Sequence, residues 1–132
     1  MSTSTVTYLG DLRTEATHLQ SGEKIITDAP VDNEGKGEAF SPTDLCATSL
    51  ATCIMTIMGI AARNRNIDIT GTTAEVTKIM GADPRRINEI RIDIYFPDHI
   101  SKKDRTILQR VADHCPVGNS LSADLIETLN YS

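Results

Sequence analysis

The sequence predicts an α+β domain, and three observations carry that prediction. Short β-rich stretches and helical stretches follow one another as βββ-α-ββ-αα-β, not in the strict alternation that builds a parallel sheet. One long run, from Ser41 to about Asn66, is apolar on nearly every side of a helix. Another, Ile90 to Phe96, alternates apolar and polar residues with the period of a half-buried strand. At 132 residues the chain is most simply one domain, 1–132, with enough length for a real core.

The first three strands are read at Val6–Leu9, Thr14–Leu19 and Glu23–Thr27, with a turn at Ser21-Gly22 between the last two. The stretch Asp28–Glu38 holds two glycines and five charges, and is expected to be a mobile polar loop. Ser41-Pro42-Thr43-Asp44 then starts a helix. Serine suits the N-cap and proline the first helical position, and Asp44 can close a capping box. Because this helix lacks a polar stripe, it must be covered on most sides. A single sheet covers one side only, so we expect a homodimer with this helix at its centre.

Thr72–Met80 and Ile90–Phe96 are the next two strands, turned by Asp83-Pro84-Arg85-Arg86. Along the second, Ile90, Ile92, Ile94 and Phe96 face the core, whereas Arg91, Asp93 and Tyr95 face water. Ser101 with Asp104 repeats the capping box, ahead of the amphipathic positions Ile107, Leu108, Val111 and Ala112. That helix must stop near His114, because a residue preceding proline is pushed out of helical geometry. Pro116 opens a second short helix towards Leu121, with Cys115 as its N-cap. Leu125–Tyr131 is the last strand.

Composition excludes several classes. The 18 acids outnumber the 13 bases, for a net charge of −5, so neither nucleic acid nor an anionic membrane is an expected partner. The apolar run Leu45–Ala62 is broken by Thr48, Ser49, Thr52 and Thr56. A spanning helix needs about 20 predominantly apolar residues, and we read a buried core helix instead. The first residues, Met1–Thr5, do not resemble a secretory signal, and three cysteines form no disulfide framework. A cytoplasmic protein with reduced thiols is expected. No cysteine–histidine cluster has zinc spacing, so no metal or cofactor is expected.

The cysteines are the residues that could carry chemistry. Cys46 and Cys53 are roughly 10 Å apart along one helix, beyond the roughly 7 Å that a disulfide allows. Cys46 reads as a small core residue. Cys53 is either an inert core thiol or a functional one, since apolar burial raises a thiol pKa unless a cation is near. Cys115 has the stronger local case for a thiolate, at a helix N-cap beside His114. His114 is a proton shuttle or a surface histidine. Gly35-x-Gly37 lacks the context of a nucleotide loop and reads as a flexible spacer.

Taken together, Gly35–Leu45, the helix around Cys53 and Cys115-Pro116-Val117 resemble the OsmC/Ohr family of osmotically inducible and organic-hydroperoxide-resistance proteins. The order of elements agrees along essentially the whole chain. This resemblance implies an OsmC-like α+β fold, with antiparallel sheets around long central helices in an intertwined homodimer. It also implies a thiol-dependent peroxidase that reduces organic hydroperoxides, in which Cys53 attacks, Cys115 resolves and an external dithiol restores both. The family's hydroperoxide-resistance branch activates its cysteine with an arginine in the N-terminal hairpin. Read at Leu19–Glu23, the corresponding stretch has none. The glutamate of that branch falls on Thr43, and the neighbouring Asp44 fits a less characterised branch. Nine residues at about 100° each put Asp44 on the helix face opposite Cys53, so capping is its expected role. The absent arginine motivates an alternative, a non-enzymatic binding or redox-sensing module with a hydrophobic crevice at the dimer interface. A cysteine-nucleophile hydrolase or acyl transferase is a third reading, without an evident histidine–acid partner.

Overall fold

A computed structural model describes residues 1–132. It divides into two compact units, Met1–Leu45 and Cys46–Ser132. Helix α1 (Pro42–Asn64) begins in the first and continues through the second.

In the first unit, β1 (Ser4–Gly10), β2 (Arg13–His18) and β3 (Lys24–Asp28) form an antiparallel meander in that order. The β2–β3 register sets Arg13 opposite Asp28. Many apolar side chains of this sheet are exposed, including Val6, Tyr8, Leu12 and Ile25. The polar loop differs from its expectation, because it is folded onto itself. A 3-10 turn at Val31–Asn33 interrupts it, and the Gly35 and Gly37 amides donate to Pro30 O and Ala29 O. A Cβ at Gly35 would lie 1.8 Å from Ala29 O. Gly35 is thus required by close backbone approach and is not a flexible spacer.

The helix start follows its sequence signal. Asp44 N–H donates to Ser41 Oγ and Ser41 N–H donates to Asp44 Oδ2, each at 3.0 Å, which satisfies two otherwise orphaned donors. Thr43 Oγ1 lies 3.2 Å from Ser41 Oγ.

The second unit holds the hydrophobic core. Strands β4 (Thr73–Gly81), β5 (Arg86–Tyr95) and β6 (Ile126–Tyr131) form one sheet with β5 in the middle. β4 pairs antiparallel to β5, and β6 pairs parallel to it. A parallel pair needs a crossover, supplied by α2 (Lys102–Ala112) and α3 (Pro116–Ser120). The central strand buries Ile90, Ile92 and Ile94 as its alternation predicts. They join Ala47, Leu50, Ala51, Ile54, Met58 and Ala62 of α1, and Leu108 and Ala112 of α2, in one core. By length and composition α1 would also suit a membrane crossing, but this stripe is buried by strand and helix side chains, as a core helix requires. The rest of α1 is less covered. Cys53, Met55 and Ile57 are half-buried, and Ile60 is exposed.

At the sheet end, the Tyr131 ring stacks on Phe96 with centroids 6.1 Å apart. Its hydroxyl is buried without a hydrogen-bond partner. Burial, and secondarily the charge of Asp113, push the phenol up to about 12. The folded protein therefore holds this proton more tightly than the unfolded chain, whose phenol titrates near about 10. The contribution is intact below pH ~10 and is lost as pH rises towards ~12. Tyr131→Phe should leave stability at pH 7 within about 1 kcal/mol of wild type and shrink the loss above pH ~10. Urea titrations at neutral and alkaline pH test this, and a parallel alkaline loss in both proteins would refute it.

Candidate functional site

The site is built where α1 meets the start of α3. Pro116 opens α3, and Cys115 precedes it with extended backbone geometry (φ −84°, ψ 131°). Its Sγ accepts the Gly118 N–H at 3.4 Å, and its carbonyl accepts the Asn119 N–H at 3.0 Å. Both contacts hold the sulfur in place. On the facing helix, Leu50 lies one turn before Cys53. A Cβ built on Gly118 would sit 3.6 Å from Leu50 Cδ1, so α3 lies within van der Waals reach of α1 here. This approach brings the two thiols close enough for Cys53 to raise the pKa of Cys115. All three cysteines are unbridged.

The electrostatics correct the local expectation for Cys115. Burial raises the Cys115 pKa above the ordinary thiol value, and the hydrogen bond and charge of Cys53 raise it further. The Gly118 N–H acts in the other direction but is outweighed. The N-cap argument fails here because α3 has five residues and Cys115 is 2% exposed, so the gain from the Gly118 and Val117 amides is smaller than the cost of desolvating a thiolate. Cys115 therefore keeps its proton at neutral pH.

The other candidates fall elsewhere. Asp44 and Thr43 belong to the start of α1, where Asp44 exchanges hydrogen bonds with Ser41. His114 is exposed after the end of α2, and its amide donates to Val111 O. Cys46 is half-buried, and its carbonyl accepts from Ser49 Oγ.

Sequence reasoning missed a cluster in the first unit. The first hairpin turns at Asp11-Leu12, and Arg13 opens its second strand. Leu19–Glu23 instead connects β2 to β3. Arg13 pairs with Glu38 and lies 3.6 Å from Asp28, which is 1% exposed. Asp28 Oδ2 also accepts the Glu38 N–H at 3.0 Å. Glu38, mainly by its hydrogen bond, holds the Arg13 pKa above the ordinary guanidinium value. The signal was available in Gly10-Asp11, a turn dipeptide directly ahead of a β-rich run.

Beside Cys115 is a cavity of about 160 Å³, walled also by Gly118, Leu129 and the exposed Asp113, Asn119 and Glu127. Cys53 is not among its walls. No group of three or more His, Cys, Asp or Glu residues is arranged to hold a metal ion.

Fold and site together define an α+β protein with a thiol pair closed between a core helix and a capped loop. The family model for OsmC-like proteins matches residues 35–128, and the chain belongs to this OsmC-like family. A Psychrobacter arcticus 273-4 protein, named for osmotic-stress induction and a detoxification response, is 58% identical. Its structure superposes with a TM-score of 0.96, over 100% of this chain and 96% of that one. Two more distant structures share the fold. The organic hydroperoxide resistance protein OsmC of Legionella pneumophila has 17% identity and a TM-score of 0.77, covering 100% of this chain and 98% of its own. OhrB of Bacillus subtilis, also an organic hydroperoxide resistance protein, has 18% identity and a TM-score of 0.73, covering 99% and 98%. No curated protein matches the sequence significantly. Family membership supports a role in redox or peroxide stress.

Proposed function

We propose that this protein is a thiol-dependent peroxidase that reduces organic hydroperoxides through Cys53 and Cys115. The observation that carries the reading is the proximity of two unbridged thiols, close enough for Cys53 to raise the pKa of Cys115. The Cys53 thiolate attacks the outer peroxide oxygen, the O–O bond breaks, and the alcohol leaves with a proton. The Cys53 sulfenic acid condenses with the Cys115 thiol, releasing water and forming the disulfide. A dithiol then reduces it. The protonated state of Cys115 suits this division of labour, since the resolving thiol is not required to be a thiolate before the sulfenic acid forms.

The absence of an activating cation motivated the non-enzymatic alternative. The N-terminal hairpin does hold an arginine, Arg13, which is ion-paired with Glu38.

The working form is proposed to be a homodimer. The first sheet exposes Val6, Tyr8, Leu9, Leu12 and Ile25, and α1 exposes Ile60. A three-stranded sheet needs an apolar face packed on something to be stable, and a second copy would bury these side chains. Sedimentation should give twice the mass of one chain. The reading as a whole is tested with cumene hydroperoxide and dithiothreitol. Expected are consumption of the peroxide and, without dithiol, a Cys53–Cys115 bridge found by peptide mapping. No consumption, or a bridge involving Cys46, would overturn it.

A further inference from the structure

Between α2 and the end of the core sheet lies a cleft of about 290 Å³ that the thiol chemistry does not use. No cysteine is among its walls. Its floor is apolar, made of the buried Phe96 and the Tyr131 ring stacked on it. The α2 side carries Lys102, Arg105 and Gln109, and Ser132 closes the sheet side. The walls therefore hold two cations and no Asp or Glu, in a chain whose net charge is −5.

We propose that this cleft binds a small aromatic carboxylate. The carrying observation is the way Arg105 is held. Its Nε–H donates to Ile100 O at 2.9 Å and an Nη2–H donates to Pro97 O at 3.0 Å. Its guanidinium carbon lies over the Phe96 ring, 5.5 Å from the centroid. The half-buried side chain is thus fixed before a ligand arrives, and such preorganisation lowers the entropy cost of binding. Clamping the turn after β5 uses Nε and Nη2 and leaves the Nη1 donors uncommitted. No carboxylate pairs with the charge, and the planar guanidinium fork matches a carboxylate.

The other walls agree. Lys102 lies one turn before Arg105 on the same face of α2 and adds a second cation without an ion pair. Gln109, one turn after it, adds a half-buried amide whose side chain makes no hydrogen bond. Ser132 does not neutralise the cations by contact. Its N–H donates to Ile94 O and its O accepts the Phe96 N–H, and no ion pair joins it to Lys102 or Arg105. The floor selects the rest of the ligand. The Tyr131 hydroxyl is buried, so Tyr131 offers the cleft apolar ring surface, on which an aromatic body packs well. Ligand clefts start at about 300 Å³, and the volume here limits the occupant to a single ring.

The proposal is independent of the peroxidase reading, and its test reads binding alone. The full-length reduced protein is titrated with phenylacetate and followed by backbone amide chemical shifts. Saturable binding is expected, with a Kd of about 1 mM or tighter and shifts centred on Phe96, α2 and Tyr131. Phenylacetamide lacks the charge and acetate lacks the ring, and each should bind at least roughly tenfold more weakly. Lys102→Glu should lower the phenylacetate affinity roughly tenfold at low salt and less at high salt. Lys102 is exposed at the first position of α2, where an acid suits the helix start, so the fold is retained. Lys103→Glu makes the same charge change at an exposed neighbour outside the cleft, and should change affinity less than about twofold. Absence of saturable binding, shifts centred elsewhere, equal affinity for either analogue, or equal losses in the two variants would each overturn the proposal.

Discussion

Cys53→Ser is expected to abolish hydroperoxide consumption, a loss of roughly 10³-fold or more, while leaving the fold intact. A serine hydroxyl is close to the size of a thiol, and Cys53 is only half-buried, so packing changes little. Chemistry changes completely, because a hydroxyl at neutral pH supplies almost no anion to attack the peroxide. Cys115→Ser should behave differently. It retains the attacking sulfur, so one equivalent of peroxide is consumed in a burst and a sulfenic acid accumulates on Cys53. Turnover then depends on direct reduction of that acid. Stopped-flow peroxide consumption with trapping of the sulfenic acid separates the two variants. A full burst in Cys53→Ser, or steady turnover at the wild-type rate in both, would refute the assignment.

The second large effect is on stability. Leu50→Ala should destabilise the protein by about 2–5 kcal/mol. Leu50 is fully buried and belongs to the α1 stripe that packs with β5 and α2 in the core. It also lies where α1 approaches Gly118, so its removal leaves a void under α3. The loss has a functional consequence beyond stability. Slack between α1 and α3 weakens the positioning of Cys115 over Cys53, and disulfide formation after the peroxide step should slow. Chemical denaturation gives the first effect and the rate of bridge formation gives the second. A change within about 0.5 kcal/mol, typical of surface sites, would show that Leu50 is not a packing centre.

The sequence made the elements legible because their signals are local. The alternation in β5 reflects a two-residue pleat, and Ser41-Pro42-Thr43-Asp44 reflects the unsatisfied amides of a helix start. The end of α2 and the cap at Cys115 follow from the steric demand of Pro116. Other features were not legible because they depend on distant partners. Arg13, Asp28 and Glu38 come from two strands and a loop, and only the β2–β3 register sets Arg13 opposite Asp28. Gly35 looked like part of a flexible spacer because sequence reports conformational freedom, whereas the nearby Ala29 carbonyl decides whether a side chain has room.

The thiols show the same division most clearly. Sequence alone determined that Cys53 lies on a core helix and that Cys115 caps a short one, since apolar patterning and proline sterics act over a few residues. Tertiary structure alone decided that thiols 62 residues apart in the chain come close enough to act on each other. It also overturned the local expectation that Cys115 is a ready thiolate. The physical reason is desolvation: a cap amide is a local property, but burial is set by everything packed around the sulfur, and at Cys115 burial wins.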